Sequence, residues 1–450
     1  MTKVTSIHAK KNMNCVLYQK SNPICRLTVD NNGIFQSIDE IYDKERLPIR
    51  LDSANLLESF CIWWKYYTIP VNRDSIRIGL EKLGNISPEE LKYLGAGFNL
   101  ANQYWVQTED TQYTWEEYNL YENGFSNYIG DAIFNHTPYY SPNSLTLKQN
   151  FSPDTSLNGM LKKRWVTLNH TPFLLKGSSR YDQNVFNEVF ATSLYEKLGV
   201  PHTPYDLVFY HGEIYCACPC QTNRHTEIIS GAELFSRYSD MKVSYNGYCE
   251  IMKKLNVYGN NILDAMNYVD VLIANTDRHL GNIAVLHDID IDVYEHMPIF
   301  DSGTSLFCDT SLDYIDFADF SNSYRSFTNS FVKDTEVLNY VSEMPYLTSF
   351  DYMECVEQYM KLITQYANMK PSRMLQLAKG VCVRYNALQV QIGLTSPTYQ
   401  IEEIEIAHLI ESVRQQIQTI PQIERNPSKF QFITNHSGCC QPHFSQDERQ

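Results

Sequence analysis

Asn275-Thr276-Asp277-Arg278-His279-Leu280-Gly281-Asn282 and, further on, Pro298-Ile299-Phe300-Asp301-Ser302-Gly303 are the two stretches that decide how this chain reads. Phosphoryl transfer asks little of a protein. One carboxylate orients and deprotonates the attacking hydroxyl, while an amide oxygen and a second carboxylate hold Mg²⁺ against the phosphates of ATP. Asp277 and Asn282 stand five apart on a loop between the apolar helix Ile262 to Ala274 and the short apolar run Asn282-Ile283-Ala284-Val285-Leu286. Asp301 ends a second apolar run, Met297 to Phe300, across the acidic turn His287 to His296. Pairing those two runs as strands brings Asn282 and Asp301 together. Gly303 then lets the chain turn sharply behind the acid. Asp-Arg-His alone also occurs in ordinary surface loops, and Asp-x-Gly alone says less. The joint order, with apolar runs on both sides, is the informative signal.

Upstream residues agree. Lys176 ends the strand-like Phe173-Leu174-Leu175-Lys176, and Glu188 lies on the next helix. A strand lysine held by a helix glutamate keeps an ammonium on ATP phosphates in kinases. For either residue alone, a solvated side chain is the simpler reading. The preceding segment, Ser156-Leu157-Asn158-Gly159-Met160-Leu161-Lys162-Lys163, offers backbone amides and lysines that could cradle phosphate. It is neither a GxGxxG nor a Walker A loop.

Around this centre the chain divides by pattern. Residues 1–145 read as a mixed, mostly helical domain: Leu56, Phe60, Trp63 and Trp64 recur at helical spacing, and Ser87-Pro88-Glu89-Glu90 is a capping box with Pro at the first helical position. A polar stretch, His136 to Pro153, marks a boundary. Residues 150–222 alternate strands with one helix: Lys163 to Leu168 and Thr171 to Lys176 flank the turn Asn169-His170, Val185, Val189, Phe190 and Leu194 form a helical stripe ended by Gly199, and a second strand pair flanks His211-Gly212. Residues 223–420 are mainly helical, with long helices from Tyr352 to Met369, Pro371 to Ile392 and Ile401 to Thr419. Residues 421–450 read as a mobile polar tail.

The 450 residues set a prior of roughly three domains. At 43% hydrophobic and 13% aromatic they can bury a large core, which excludes global disorder. A net charge of −15 repels a phosphate backbone and disfavours direct nucleic-acid binding and docking on anionic lipid. No apolar run is long enough to span a membrane, and the N-terminus shows no secretory pattern, so a cytoplasmic protein is expected. Twelve dilute cysteines fit reduced core thiols. Cys216, Cys218 and Cys220 alternate and share one face of a strand. His436, Cys439, Cys440 and His443 have the residue types of a metal site near the C-terminus.

On these motifs the chain resembles the HipA-like kinases, whose core is shared with the phosphatidylinositol kinases. The resemblance covers about Ser156 to Ser305. It rests on Ser156-x-x-Gly159-x-x-x-Lys163 for the phosphate loop, Lys176 for the nucleotide lysine, Asn187-Glu188, the turn Leu198-Gly199-Val200-Pro201, Asp277-Arg278-His279-x-x-Asn282, and Asp301-x-Gly303. It implies an α+β, bilobed protein-kinase-like fold with a small sheet-plus-helix N-lobe, a mainly helical C-lobe and an extra N-terminal domain. It also implies ATP and Mg²⁺, with Asp277, Lys176 and Glu188 catalytic and Asn282 and Asp301 metal-binding. Phosphorylation of Ser or Thr in a protein substrate is expected, in some members as a growth-arresting toxin with an antitoxin partner. Ser156 stands where the family carries an autophosphorylated serine. By chain order the adenine pocket falls at Cys218-Pro219-Cys220, where backbone groups would pair with the base. The competing readings are a small-molecule or lipid kinase, which Asp-Arg-His-x-x-Asn permits, and a catalytically inactive kinase-fold binding module. Against the latter stands the presence of every polar group the chemistry needs.

Overall fold

The computed structural model describes residues 12–48, 55–73, 76–109, 111–136, 151–178, 181–259, 261–320, 323–325, 331–333, 351–419 and 430–437. Most of the boundary segment read at His136 to Pro153 lies outside them, as do Cys439, Cys440 and His443. The chain forms two compact units. One comprises residues up to His170 together with Thr222–Ile228 and Asp288–Ile291. The other comprises Thr171–Gln221, Ile229–His287 and the chain from Asp292 on.

The first unit is built on a sheet that the sequence reading did not expect. Strands β1 (Met13–Gln19), β2 (Asn22–Val29), β3 (Phe35–Ile41) and β4 (Tyr104–Thr108) run antiparallel in the order β3-β2-β1-β4. Cys15 and Leu17 point inward with Leu27, Val29 and Val106. This is the period-2 pattern of a half-buried strand, hidden in the sequence by the short length of each run. The sheet closes over helix α1 (Leu56–Tyr66), whose Phe60, Trp63 and Trp64 are core, as their spacing requires. Helices α2 (Ile76–Lys82), α3 (Pro88–Leu94), α4 (Trp115–Tyr118) and α5 (Tyr128–Phe134) follow. Ser87 caps α3, its hydroxyl accepting from the Glu90 N–H with Pro88 at the first turn. A second apolar cluster joins Ile76, Leu91, Ile129 and Ile133. Strand β5 (Lys163–Leu168) completes this unit.

Asn169 and His170, at φ 48° and 65°, make the expected tight turn into β6 (Thr171–Lys176), which opens the second unit. Helix α6 (Gln183–Leu198) ends where Gly199 takes φ 64°, a left-handed cap that suits glycine. Strands β7 (Asp206–Tyr210) and β8 (Glu213–Pro219) pair antiparallel, with Leu207 opposite Cys216, and β8 pairs β6 with Lys176 opposite Cys216. Strand β9 (Thr226–Ser230) leads through the Ser230–Glu233 capping box into α7 (Gly231–Arg237), then α8 (Tyr245–Lys254) and α9 (Asn261–Leu272).

The hairpin after α9 differs from expectation. It consists of β10 (Ala284–Asp288) and β11 (Val293–His296), so the returning strand is Val293-Tyr294-Glu295-His296. Met297 to Phe300 runs on beyond it: the Met297 N–H still donates to Ala284 O (3.1 Å), but Ile299 bridges in parallel to His202. Alternation with exposed positions lets Val293-Tyr294-Glu295-His296 serve as the return strand, whereas the apolar run is needed at a more buried place. Strands β12 (Ser323–Arg325) and β13 (Phe331–Lys333) form a small antiparallel pair. Helices α10 (Tyr352–Tyr366), α11 (Pro371–Gln391) and α12 (Glu403–Gln418) close the unit. Within the segment read as a mobile tail, residues 430–437 are ordered. Their strand β14 (Gln431–Phe432) pairs β7, giving the order β14-β7-β8-β6. The reason is Asp206, whose buried carboxylate accepts from Thr434 Oγ1 (2.9 Å), the His436 N–H (2.6 Å) and the Ser437 N–H (3.0 Å).

The protein is thus mixed α and β, with several antiparallel sheets. Among the described residues no helix is long and apolar enough to cross a membrane, and the cysteines form no disulfide.

Candidate functional site

Lys176 is carried to the end of β6, where its side chain is only 7% exposed. Its ammonium donates to Glu188 Oε1 (3.0 Å), Asp301 Oδ1 (2.7 Å) and the Tyr205 hydroxyl (3.0 Å), and lies 4.8 Å from the centre of the Tyr205 ring. Burial alone would push this amine down. The carboxylates of Asp301 and Glu188 outweigh it and hold Lys176 well above its ordinary value, so the group is a cation at any physiological pH. Burial raises Glu188, and the nearby ammonium and the Ser302 N–H (2.9 Å to Oε2) pull it back. Tyr205 also accepts from the Asp301 N–H at 3.4 Å, so one phenol touches both the lysine and the acid's backbone.

Helix α6 supplies more than Glu188. It is buried around nearly its whole circumference although half its residues are polar. Those polar groups hold the segment after Asp301. Asn187 Nδ2 donates to Gly303 O (3.0 Å) and Ser305 O (2.7 Å), Gln183 Nε2 donates to Leu306 O (3.0 Å), and Asn187 Oδ1 accepts from Tyr359 (2.7 Å). The segment needs such restraint, because Asp301, Leu306 and Phe307 all sit at positive φ (59°, 49° and 55°). A Cβ on Gly303 would stand 3.0 Å from Asn184 O and 3.0 Å from Glu188 Cγ. Glycine there serves the close approach of α6.

The loop after α9 is organised by Arg278, which is fully buried. Its guanidinium grips Asp270 through Nε (2.7 Å) and Nη2 (3.0 Å), and the buried Asp270 holds it far above any working pH despite desolvation. Its other donors reach Asn282 O (3.0 Å), Phe300 O (2.5 Å) and Ser302 Oγ (3.0 Å). Arg278 is therefore the physical link between the Asp277–Asn282 loop and the residues on both sides of Asp301. Breaking a buried pair of this kind typically costs about 3–5 kcal/mol. Asn275 continues the network: it donates to Asp270 (2.7 Å) and accepts the Asp277 N–H (3.1 Å). Asn282 Nδ2 donates to Asp277 O (2.9 Å), which leaves Oδ1 as its acceptor. The Asp277 carboxylate is 44% exposed, with His279 Nε2 at 3.9 Å.

The second unit thus brings together Lys176, Glu188 and Asp301 directly, Asp277 and Asn282 directly, and the two sets through Arg278. Cys216 and Cys218 share the face of β8 toward Lys176, as their alternation requires, and burial pushes the Cys218 thiol up to about 12. The Cys220 N–H donates to Pro172 O (2.8 Å), so this amide is already committed to the protein. Ser156, Gly159 and Lys163 belong to the first unit. There Ser156 and Thr155 are buried, and Lys163 Nζ lies against Gly159. His436 Nδ1 faces Glu196 at 3.0 Å. Among the described residues no group of three His, Cys, Asp or Glu side chains could hold a metal ion. The donor set at Asn282 and Asp301 is hard oxygen, and Mg²⁺ is ordinarily held by one or two protein oxygens plus phosphates and water.

Sequence reading missed Tyr205 and Asp270; it quoted Asn187 and Asn275 within their motifs but gave neither a role. Asp270 carried a signal: it is an acid inside the apolar run Val269-Asp270-Val271-Leu272.

No family model and no curated protein matches the chain. Solved structures similar to it include the Helicobacter pylori proinflammatory kinase CtkA, 18% identical, covering 57% of this chain and 90% of that one at a TM-score of 0.34. They also include the Shewanella oneidensis MR-1 toxin–antitoxin system of HipA, HipB and operator DNA, 12% identical, covering 90% of this chain and 97% of that one at 0.39.

Proposed function

We propose that the chain is an ATP- and Mg²⁺-dependent serine/threonine protein kinase of the HipA-like type. In this reading residues 150–222 serve as the N-lobe and 223–420 as the C-lobe of a bilobed fold, in the cytoplasm. The observation that carries it is the buried Lys176 ammonium, clasped by Glu188 and Asp301, with the Asp277–Asn282 loop tied by Arg278 to the residues on either side of Asp301. Nothing in ordinary packing calls for a desolvated cation facing a half-exposed acid beside a second acid and an amide.

Lys176 binds the ATP phosphates and is held in place by Glu188 and Tyr205. Asp277, the exposed member, accepts the proton of the substrate Ser or Thr hydroxyl as that oxygen bonds to the γ-phosphorus. The bond from that phosphorus to the bridging oxygen breaks, and ADP leaves with the electron pair. Asn282 Oδ1 and Asp301 would hold Mg²⁺, which supplies neutralisation of phosphate charge. An antitoxin-like protein is the expected partner.

The test is transfer of label from ATP, with Mg²⁺, to proteins of a cell lysate. Asp277→Asn is expected to lower transfer about 10²- to 10⁴-fold while leaving nucleotide binding near wild type. Asp301→Asn is expected to weaken Mg²⁺-dependent nucleotide binding as well. Near wild-type transfer by Asp277→Asn would remove the role given to that residue.

A further inference from the structure

Arg73 sits in the turn after α1, only 4% exposed. Among the described residues its guanidinium makes its hydrogen bonds to backbone rather than to a carboxylate. Nε donates to Gly159 O (2.9 Å) and Nη2 to Leu157 O. Burial pushes this guanidinium down to about 10, with Asp154 partly opposing, so it stays charged at neutral pH. A buried cation satisfied by two neutral carbonyls is costly, and the structure spends that cost on one loop.

The geometry of the peptide bond says what the contact does. The chain has no cis peptide among the described residues. In a trans peptide the C=O and the following N–H point in opposite directions. Fixing the carbonyls of Leu157 and Gly159 on Arg73 therefore aims the N–H groups of Asn158 and Met160 to the other side of the loop. Two amides aimed alike, with Lys163 Nζ against Gly159, are donors of the kind that hold an anion, while the Gly159 N–H between them donates to Asn158 Oδ1. Gly159 permits it by taking φ 94°, which other residues rarely adopt. The loop follows directly on the buried 3₁₀ turn Pro153–Ser156, where Thr155 Oγ1 donates to Ser152 O at 3.0 Å. Thr155 and Ser156 are both buried.

We infer that Arg73 is a positioning residue for the phosphate loop: it presets the Asn158 and Met160 amides for a nucleotide phosphate and keeps Thr155 and Ser156 covered. The ligand half of this inference rests on the kinase reading; the positioning half does not.

The experiment uses the full chain as wild type, Arg73→Lys and Arg73→Ala, with Mg-ATP affinity by calorimetry, steady-state kinetics, melting temperature, and limited trypsin digestion read by mass. Arg73→Ala is expected to weaken Mg-ATP binding at least tenfold and raise KM alike, with kcat at saturating ATP within about threefold. Trypsin should cut after Lys162 or Lys163 several-fold faster than in wild type. Arg73→Lys, which cannot reach both carbonyls with one fork, should fall between the two. Should Arg73→Ala not fold, Arg73→Lys carries the same readings at reduced size. A folded variant with wild-type affinity and wild-type cleavage overturns the inference. Failure of wild type to bind Mg-ATP overturns the kinase reading instead, and the cleavage rates still decide whether Arg73 holds the loop.

Discussion

Lys176 is the residue on which charge, burial and geometry meet. Removing it leaves the buried Glu188 carboxylate beside the partly exposed Asp301 with no cation between them. Loss of one partner from such a cluster costs about 3–5 kcal/mol, because the remaining charge stays buried. Lys176→Met is therefore expected to depress melting temperature as well as abolish transfer, and Glu188→Gln to do both more weakly. The double variant should recover part of the stability lost by Lys176→Met, and its activity should be no worse than that of the more damaging single change. Denaturant midpoints for the four proteins check this; strictly additive losses would show that the pair is not coupled. The members of this cluster were legible from sequence to different degrees. Asp277, Asn282, Asp301, Lys176 and Glu188 could be found because chemistry fixes their types and chain order fixes their sequence. Tyr205 could not, because it acts only through contacts between distant segments, and Asn187, although named beside Glu188, gave no sign of its bond to Ser305. A tyrosine among 32 gives no hint that its hydroxyl meets a lysine and a backbone amide.

At the scale of elements, helices were easier to read than strands. Each long helix has several turns over which a period can show, whereas β1 to β3 offer only seven or eight residues apiece. The apolar run Met297 to Phe300 misled for a related reason: hydrophobicity marks burial, and burial is not the same as strand. Within α11, Gly380 shows how packing overrides propensity. A Cβ there would come 2.5–2.6 Å from the ring of Phe317. That ring packs edge-on against Phe307 at 5.4 Å. Replacing a mid-helix glycine by alanine favours the helix by about 1 kcal/mol. Overpacking costs about 1–3 kcal/mol, and the ring is boxed in. Gly380→Ala is accordingly expected to lower stability by about 1 kcal/mol despite its better helix propensity. Chemical denaturation reads the sign directly, and a stabilised variant would mean that Phe317 moves aside freely.

For the molecule as a whole, pH acts on identifiable buried groups. Asp154 lies in the first unit, where burial pushes its carboxyl up to about 6, against the pull of Arg164 and the Trp165 N–H. A carboxyl raised on folding contributes stability that is full below its unfolded value near 4 and is lost as pH climbs through about 6. Asp154→Asn keeps an acceptor for the Trp165 N–H without the charge. The melting temperature of wild type relative to this variant should therefore fall by a few degrees between pH 4 and pH 7. A gap that widens in favour of wild type over the same range would reverse the sign and the account. His202 in the second unit runs the other way: burial lowers it, so its contribution is present above its ordinary value and is lost in acid.

The pairing of β14 with β7 also sets a schedule for making the protein. Phe209 waits for Gln431. Translation at about 5–20 residues per second puts their emergence, about 220 residues apart, roughly 10–45 s apart. For that interval the outer edge of β7 is an open ladder of N–H and C=O groups, and Asp206 lacks the partners that later cover it. An open edge of this kind invites another strand. Crowded synthesis of this chain should thus favour contacts between neighbouring nascent copies at β7, and slower, cooler expression should favour the closed product.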